Sequence, residues 1–194
     1  MAAPARTLED FESLLATVRA RSARFGGDRV RRALLAQLEI QRSDRVLELG
    51  FGSGRLLFAV AARAARGFVA GVEPDEYALR HASRRCERLV REGRVALVRG
   101  TSRDLSVFAT GAFDKVYGVN VVDFWEDPEP HLLEIRRVLR RGGRVLLGRC
   151  AGEPEEGGDH RARSWMRALE IGLATAGFRH IRSESGEPAW ISAE

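Results

Sequence analysis

Two acids and three glycines carry the types and spacing that could do chemistry in this chain. Glu48 stands two positions before Gly50, and Gly50, Gly52 and Gly54 alternate with Phe51 and Ser53. Glu73 follows 19 residues after Gly54, with Pro74 and Asp75 behind it. Alternating glycines let a ligand come close to the main chain where a Cβ would block it, and some positions of such a turn need φ > 0. A carboxylate such as Glu73 can accept hydrogen bonds from both hydroxyls of a ribose, a geometry a neutral side chain cannot match. The combination points to a nucleoside-bearing ligand.

The flanking residues supply the elements that position this set. Arg45 to Leu49 read as a short apolar strand and Arg55 to Arg66 as a helix. Phe68 to Glu73 read as a second strand, after Gly67. Strand, glycine turn and helix form the unit with which a doubly wound α/β sheet opens a ligand site at its carboxyl edge. The dinucleotide fingerprint G-x-G-x-x-G/A does not fit, because its last position falls on the bulky Arg55. No G-x-x-x-x-G-K-[ST] run exists, which excludes a P-loop.

At these residues the chain resembles the class I S-adenosylmethionine-dependent methyltransferases, whose E/D-x-G-x-G-x-G motif is matched in full from Glu48 to Gly54. The resemblance extends over about Asp28 to Ser192. It implies an α/β, doubly wound, mostly parallel seven-stranded Rossmann-like sheet with helices on both faces, parallel except for its last strand. It also implies S-adenosylmethionine as cofactor and S-adenosylhomocysteine as product. Glu48, Gly50, Phe51, Gly52 and Gly54 would hold the methionine end, and Glu73, with Pro74 beside it, the ribose. Gly100-Thr101-Ser102 stands where the family commonly has Gly-Asp-Ala, whose Asp accepts from the adenine amine; Thr101 offers an uncharged hydroxyl instead. The fourth strand, begun by Phe113-Asp114, would end at Asn120, at the edge that faces the transferred methyl in related folds. The D/N-P-P-Y/F signature is absent, since Val121 follows Asn120. Phe124 and Trp125 either wall a pocket beside the sulfonium or pack under the next loop.

The rest of the chain continues the pattern. Glu76 to Arg91 read as a helix with Leu79, Cys86, Leu89 and Val90 on one side, and Arg94 to Arg99 as the third strand. Asp127-Pro128 cap a helix carrying Leu132, Leu133, Ile135, Val138 and Leu139, with Arg140 and Arg141 in its last turn. Arg144 to Gly148 read as the fifth strand, and Ala151 to Asp159, rich in Gly, Pro and Glu, as a flexible loop. A helix over Ser164 to Ala176 and hairpin strands over Phe178 to Arg182 and Pro188 to Ser192 complete the chain. Ahead of the first strand, Thr7 to Asp10 resembles a capping box, with Leu8, Phe11, Leu15 and Val18 at helical spacing. A second helix follows Asp28, with Val30, Leu34, Leu35 and Leu38 as its apolar face. Residues 1–27 are therefore expected to form an N-terminal helical cover over a methyltransferase domain at 28–194.

Bulk properties narrow the class. The 194 residues suit one domain, and 44% hydrophobic content is enough for a core. No apolar run approaches the roughly 18 residues of a membrane span. The stretch from Met1 to Glu12 lacks the apolar region of a secretory signal. Cys86 and Cys150 make neither a metal-type spacing nor a disulfide framework, so no metal and a reducing cytoplasm are expected. The formal charge of +5 and pI of about 10.1 invite nucleic acid as a partner. Lys115 is the only lysine among 32 basic residues, however, a skew that looks like coding bias in a GC-rich genome. The arginines are also interleaved with 27 acids.

A sulfonium donor is already activated, so a methyltransferase mainly supplies position and a dry pocket, and the family has no universal catalytic residue. A general base is required only when the acceptor must lose a proton; Asp123 and His160 are candidates by position, against structural roles for both. The expected function is methyl transfer to a small molecule. The alternatives are an RNA methyltransferase, on charge, and a non-catalytic S-adenosylmethionine-binding protein, on Thr101 and the lack of an evident base.

Overall fold

The computed structural model describes residues 27–150, 158–186 and 188–194. Helix α1 (Gly27–Leu38) precedes strand β1 (Arg45–Leu49), helix α2 (Arg55–Arg63) and strand β2 (Phe68–Glu73). Helix α3 (Glu76–Arg91) leads to β3 (Val95–Arg99), and β4 (Phe113–Val119) to a 3-10 turn (Val122–Phe124) and α4 (Pro128–Val138). The chain then forms β5 (Leu139–Arg149), α5 (Gly158–Thr175), β6 (Arg182–Glu184) and β7 (Ala189–Ala193). The seven strands lie in the order β3-β2-β1-β4-β5-β7-β6. All neighbours from β3 to β5 pair in parallel, and β7 runs antiparallel to both β5 and β6. The expected topology, parallel except for the last strand of the chain, is the observed one.

Strand periodicity explains the two cores. Successive side chains point to opposite faces, so Leu47 and Leu49 join α4 and α5 residues such as Leu132, Ile135 and Leu173 in one buried cluster. Val46, Val69, Tyr117 and Leu146 point the other way and pack with Leu34 and Leu38 of α1, Leu57 and Val60 of α2, and Cys86 of α3. Glu48 is out of phase with Leu47 and Leu49, so it faces the second cluster. Its partners in register are Gly71 of β2 and Tyr117 of β4. Parallel pairing brings the carboxyl ends of β1 to β5 to one edge, and the strand order reverses between β1 and β4, where such sheets place their ligands.

Several element boundaries differ from the sequence reading. Helix α2 ends at Arg63 rather than Arg66, because the chain turns at Ala64 to lay Arg66 and Phe68 against the backbone of Arg42 and Asp44. Val90 and Leu133, expected on buried faces, are exposed; Ala78 and Ala82 take the buried places on α3. Arg140 and Arg141 are not in the last turn of α4. That helix stops at Val138, its last-turn cations are Arg136 and Arg137, and Leu139 is already extended. Phe113 pairs with Leu139 and Lys115 with Arg144, so Arg140 to Gly143 form an excursion within β5, held where Arg140 meets the Asp114 carboxylate. Helix α5 starts at Gly158, six residues before the expected start, inside the stretch read as a loop; residues 151–157 lie outside the described ones. The terminal hairpin is shifted too. Arg179 and Glu194 exchange backbone hydrogen bonds of 2.6 and 2.8 Å, but His180 has φ 51 and interrupts the strand, so β6 begins only at Arg182. The expected helix over residues 8–18 lies outside the described residues.

Candidate functional site

The carboxyl edge opens into a cavity of about 1140 Å³. Its wall includes Glu48, Gly50, Phe51, Gly52, Glu73, Pro74, Thr101, Ser102 and Asn120, nine of the ten residues expected from the sequence to hold the cofactor. Gly54 stands one layer behind, where it starts α2 and packs on Ala82 of α3. Asp123 does not contribute to the wall. Asp123 is ion-paired with Arg149 at 2.9 Å. His160 falls in the first turn of α5, and its side chain lies outside what is described. Phe124 and Trp125, for which two roles were open, both line the cavity.

The glycine turn is shaped by what surrounds it. Gly50 has φ +66, and a Cβ there would lie 2.6 Å from Val121 Cγ1, so both backbone conformation and space demand glycine. Gly71 of β2 is needed for space alone, since its Cβ would meet Phe51 and Leu57 at 2.5 Å. Phe51 can therefore lie against Gly71, and the amides of the turn are tied down: that of Gly50 donates to the Val72 carbonyl at 2.8 Å and that of Gly54 to the Phe51 carbonyl at 2.9 Å. One of these amides, that of Gly52, donates to Glu73 Oε2 at 2.9 Å, and the Asp75 amide donates to Oε1 at 3.1 Å. Asp75 in turn caps α3 by accepting from the Tyr77 amide.

Glu48 is the electrostatic centre of the cavity. It is 3% exposed, and its Oε2 lacks a hydrogen-bond partner. Burial pushes its carboxyl up to about 8; the Tyr117 hydroxyl beside it pulls down and the Glu73 carboxylate pushes up. Tyr117 acts on the carboxyl as a hydrogen-bonding neighbour, yet neither its Oη nor Glu48 Oε2 makes a hydrogen bond of good geometry. Burying an ionisable group this way is unfavourable unless something pairs with it. An ammonium group would pair with it. The site thus fits S-adenosylmethionine: an orphaned acid for the amino group, a two-oxygen acceptor at the end of β2 for the ribose, and a backbone cradle between them.

Asn120 closes the floor on the other side. It adopts φ 57, a left-handed conformation that Asn tolerates better than most residues. Its amide donates to the Gly148 carbonyl at 2.8 Å, and its Oδ1 accepts from the Cys150 amide at 2.7 Å. The ends of β4 and β5 are thereby joined at the cavity edge.

The structure adds a residue that sequence reasoning missed. His131 of α4 lines the cavity at 9% exposure, with Nδ1 2.8 Å from Ser102 Oγ and its ring stacked on Trp125 at 4.6 Å. Burial and the nearby Arg103 lower its pKa to about 4, with Asp127 opposing, so the imidazole is neutral at neutral pH. A signal existed: His131 is in helical phase with Ile135 and Val138, a polar residue on an otherwise apolar face. Among the described residues no cluster of three or more His, Cys, Asp or Glu side chains could hold a metal, and no helix is long and apolar enough to cross a membrane.

Comparison with known proteins agrees with this geometry. A family model described as a methyltransferase domain matches residues 47–147. The uncharacterized methyltransferase YdaC of Bacillus subtilis (strain 168) is 29% identical over 145 residues, covering 75% of this chain and 77% of that protein. Among solved structures, a SAM dependent methyltransferase from Aquifex aeolicus aligns with a TM-score of 0.69 at 15% identity, over 84% of this chain and 87% of that one. Geranyl diphosphate methyltransferase in complex with SAM aligns with a TM-score of 0.66 at 16% identity, over 84% and 83%. At such identities the structural likeness is one of fold. The family match covers half of the chain, from β1 through β5, and the sheet it spans carries the orphaned acid, glycine cradle and second acid just described: the chain belongs to the class I S-adenosylmethionine-dependent methyltransferases.

Proposed function

We infer that this methyltransferase acts on a small-molecule acceptor bound beside the cofactor. One observation carries the reading: the cavity of about 1140 Å³ lies just above the roughly 300–1,000 Å³ usual for a small-ligand site, so a cofactor along Glu48 and Glu73 need not fill it. Bound there, S-adenosylmethionine supplies an already activated methyl group. Glu48 holds its ammonium, Glu73 accepts from its ribose hydroxyls, and Pro74, Thr101 and Ser102 flank its base. Gly50, Phe51 and Gly52 let it lie against the backbone, Gly54 sets the start of α2, and Asn120 shapes the floor at the reacting end. Catalysis rests on position and water exclusion. Asp123 is committed to Arg149, which favours a structural role for it over that of a base.

The same reading assigns residues 28–194 to the methyltransferase domain and residues 1–27 to a cover over it, in a cytoplasmic protein. Helix α1, at the start of that domain, lines the cavity through Val30, Arg31 and Leu35, which puts the point where residues 1–27 join the domain beside the cavity. The test is to offer the purified protein methyl-labelled S-adenosylmethionine with a small-metabolite fraction and, separately, total RNA. Label in the small-molecule fraction is the expected result. Label in RNA alone would replace this reading with that of an RNA methyltransferase.

A further inference from the structure

Thr101 replaces the acid that the family commonly uses at the adenine edge, and its hydroxyl is exposed and accepts from the Arg103 amide at 3.3 Å. The buried polar group at this end of the cavity is instead its neighbour. Ser102 is 6% exposed, and its Oγ lies 2.8 Å from Nδ1 of His131. The His131 ring is fixed from the other side by the stacked Trp125, whose plane is inclined to it by 10°. Two rigid contacts on one ring hold Nδ1 at a set place relative to Ser102.

The location follows from strand order, given the cofactor reading above, on which this inference rests. Glu73 ends β2, and among the described residues the strand beyond β2 is β3. With the ribose at Glu73, the base extends over the end of β3, where Ser102 lies. Adenine presents there an amine that donates. Hypoxanthine, its deaminated counterpart, presents a carbonyl that accepts and a ring N–H that donates. A serine hydroxyl can face either, unless its own proton is already committed.

We propose that His131 is a specificity-determining positioning residue: its Nδ1 accepts the Ser102 hydroxyl proton, so that Ser102 Oγ meets the 6-substituent of the base only as an acceptor and favours the adenine amine over the hypoxanthine carbonyl. The neutral state of His131 is consistent with this, because an imidazolium would carry a proton on Nδ1 and reverse the Ser102 hydroxyl. In this arrangement the Ser102–His131 pair takes over the task of the absent acid at position 101. His131 touches Ser102 and acts on the ligand through it.

The experiment measures binding of S-adenosylhomocysteine and S-inosylhomocysteine by calorimetry. The wild-type protein should prefer the adenosyl ligand by about tenfold or more, the scale of one mismatched hydrogen bond in a buried site. His131→Phe keeps a ring against Trp125 but removes Nδ1, and should bring the two ligands to within about threefold. Ser102→Ala removes only the hydroxyl oxygen and should do the same, so the test stands if the His131→Phe protein melts early. His131→Asn places an amide oxygen near the Nδ1 position and should restore the preference. A purely structural role for His131 would lower the melting temperature and weaken both ligands alike. An undiminished preference in His131→Phe or Ser102→Ala overturns the proposal, as does a wild-type protein that binds both ligands equally. Failure of the wild type to bind S-adenosylhomocysteine at all would instead overturn the cofactor reading beneath it.

Discussion

Cofactor binding should expel a proton from Glu48 at neutral pH. The ligand-free carboxyl, pushed up to about 8 by burial, is about nine-tenths protonated at pH 7. Pairing with an ammonium requires the carboxylate. Forming it costs about 1.4 kcal/mol at pH 7 and about 2.7 kcal/mol at pH 6, at 1.36 kcal/mol per pH unit. Affinity should therefore rise close to tenfold from pH 6 to pH 7. Above about pH 8 Glu48 is ionised, but the ligand's α-amino group, with an ordinary pKa near 8, begins to lose its own proton. Affinity should peak near pH 8, with proton release below that pH and uptake above it. Calorimetry in two buffers of different ionisation heat reads the proton count directly. A net release of about 0.8 proton at pH 7 is expected, about 0.9 from Glu48 less the about 0.1 that the ligand's amino group takes up, and Glu48→Gln should abolish both the release and the acid-side slope. The sign for stability runs the opposite way. Because the folded pKa lies above the unfolded value of 4.5, the ligand-free protein should lose stability as pH rises from about 4.5 to about 8, and Glu48→Gln should flatten that loss. No proton release at pH 7, together with affinity independent of pH between 6 and 7.5, would refute the pairing of Glu48 with the amino group.

Other substitutions test the rest of the site. Glu73→Ala should weaken cofactor binding by about 1.5–3 kcal/mol, the range for hydrogen bonds to a charged group; unchanged affinity in a titration would remove Glu73 from the ribose site. Asn120→Ala leaves the Cys150 amide without its acceptor and should lower stability by about 1–3 kcal/mol in denaturant unfolding. Asn120→Gly should be less damaging, because glycine accepts the φ of 57 freely; an alanine variant as stable as the glycine one would show that the left-handed backbone carries no strain. Deleting residues 1–26 should leave a folded sheet domain with poorer cofactor retention. Full retention and turnover after the deletion would rule out the proposed cover.

Local features were the legible part. The glycine turn, the acid at the end of β2 and the strand alternation each announce themselves within a few residues, and the sheet follows from them. What stayed hidden depends on contacts between distant segments. His131 looks like one polar residue among leucines until the loop after β3 brings Ser102 against it. Arg140 and Arg141 look like the end of a helix until Asp114, 26 positions away, draws Arg140 into β5. The boundaries of β6 were obscured by His180, since nothing in its type requires a positive φ. Nor does spacing show that Glu48 faces Tyr117; that depends on the register of β1 against β4.

The short strand β6 bears on how the protein behaves in a crowded solution. A sheet edge with free amides and carbonyls is a template for another chain. Here the edge strand has three residues, all exposed, with Arg182 and Glu184 bearing charge. Glu184 is also tied to Gln37 of α1 at 2.7 Å, and Ser183 to Glu170 of α5 at 2.6 Å. Behind it, all five residues of β7 are buried. β6 thus acts as a polar hem on an apolar sheet. Truncation after α5 would remove β7 with it and leave β5 as a bare edge carrying Val145, Leu146 and Leu147. A protein shortened in that way is expected to aggregate while its cofactor cradle, four strands away from the hem, is still intact in sequence.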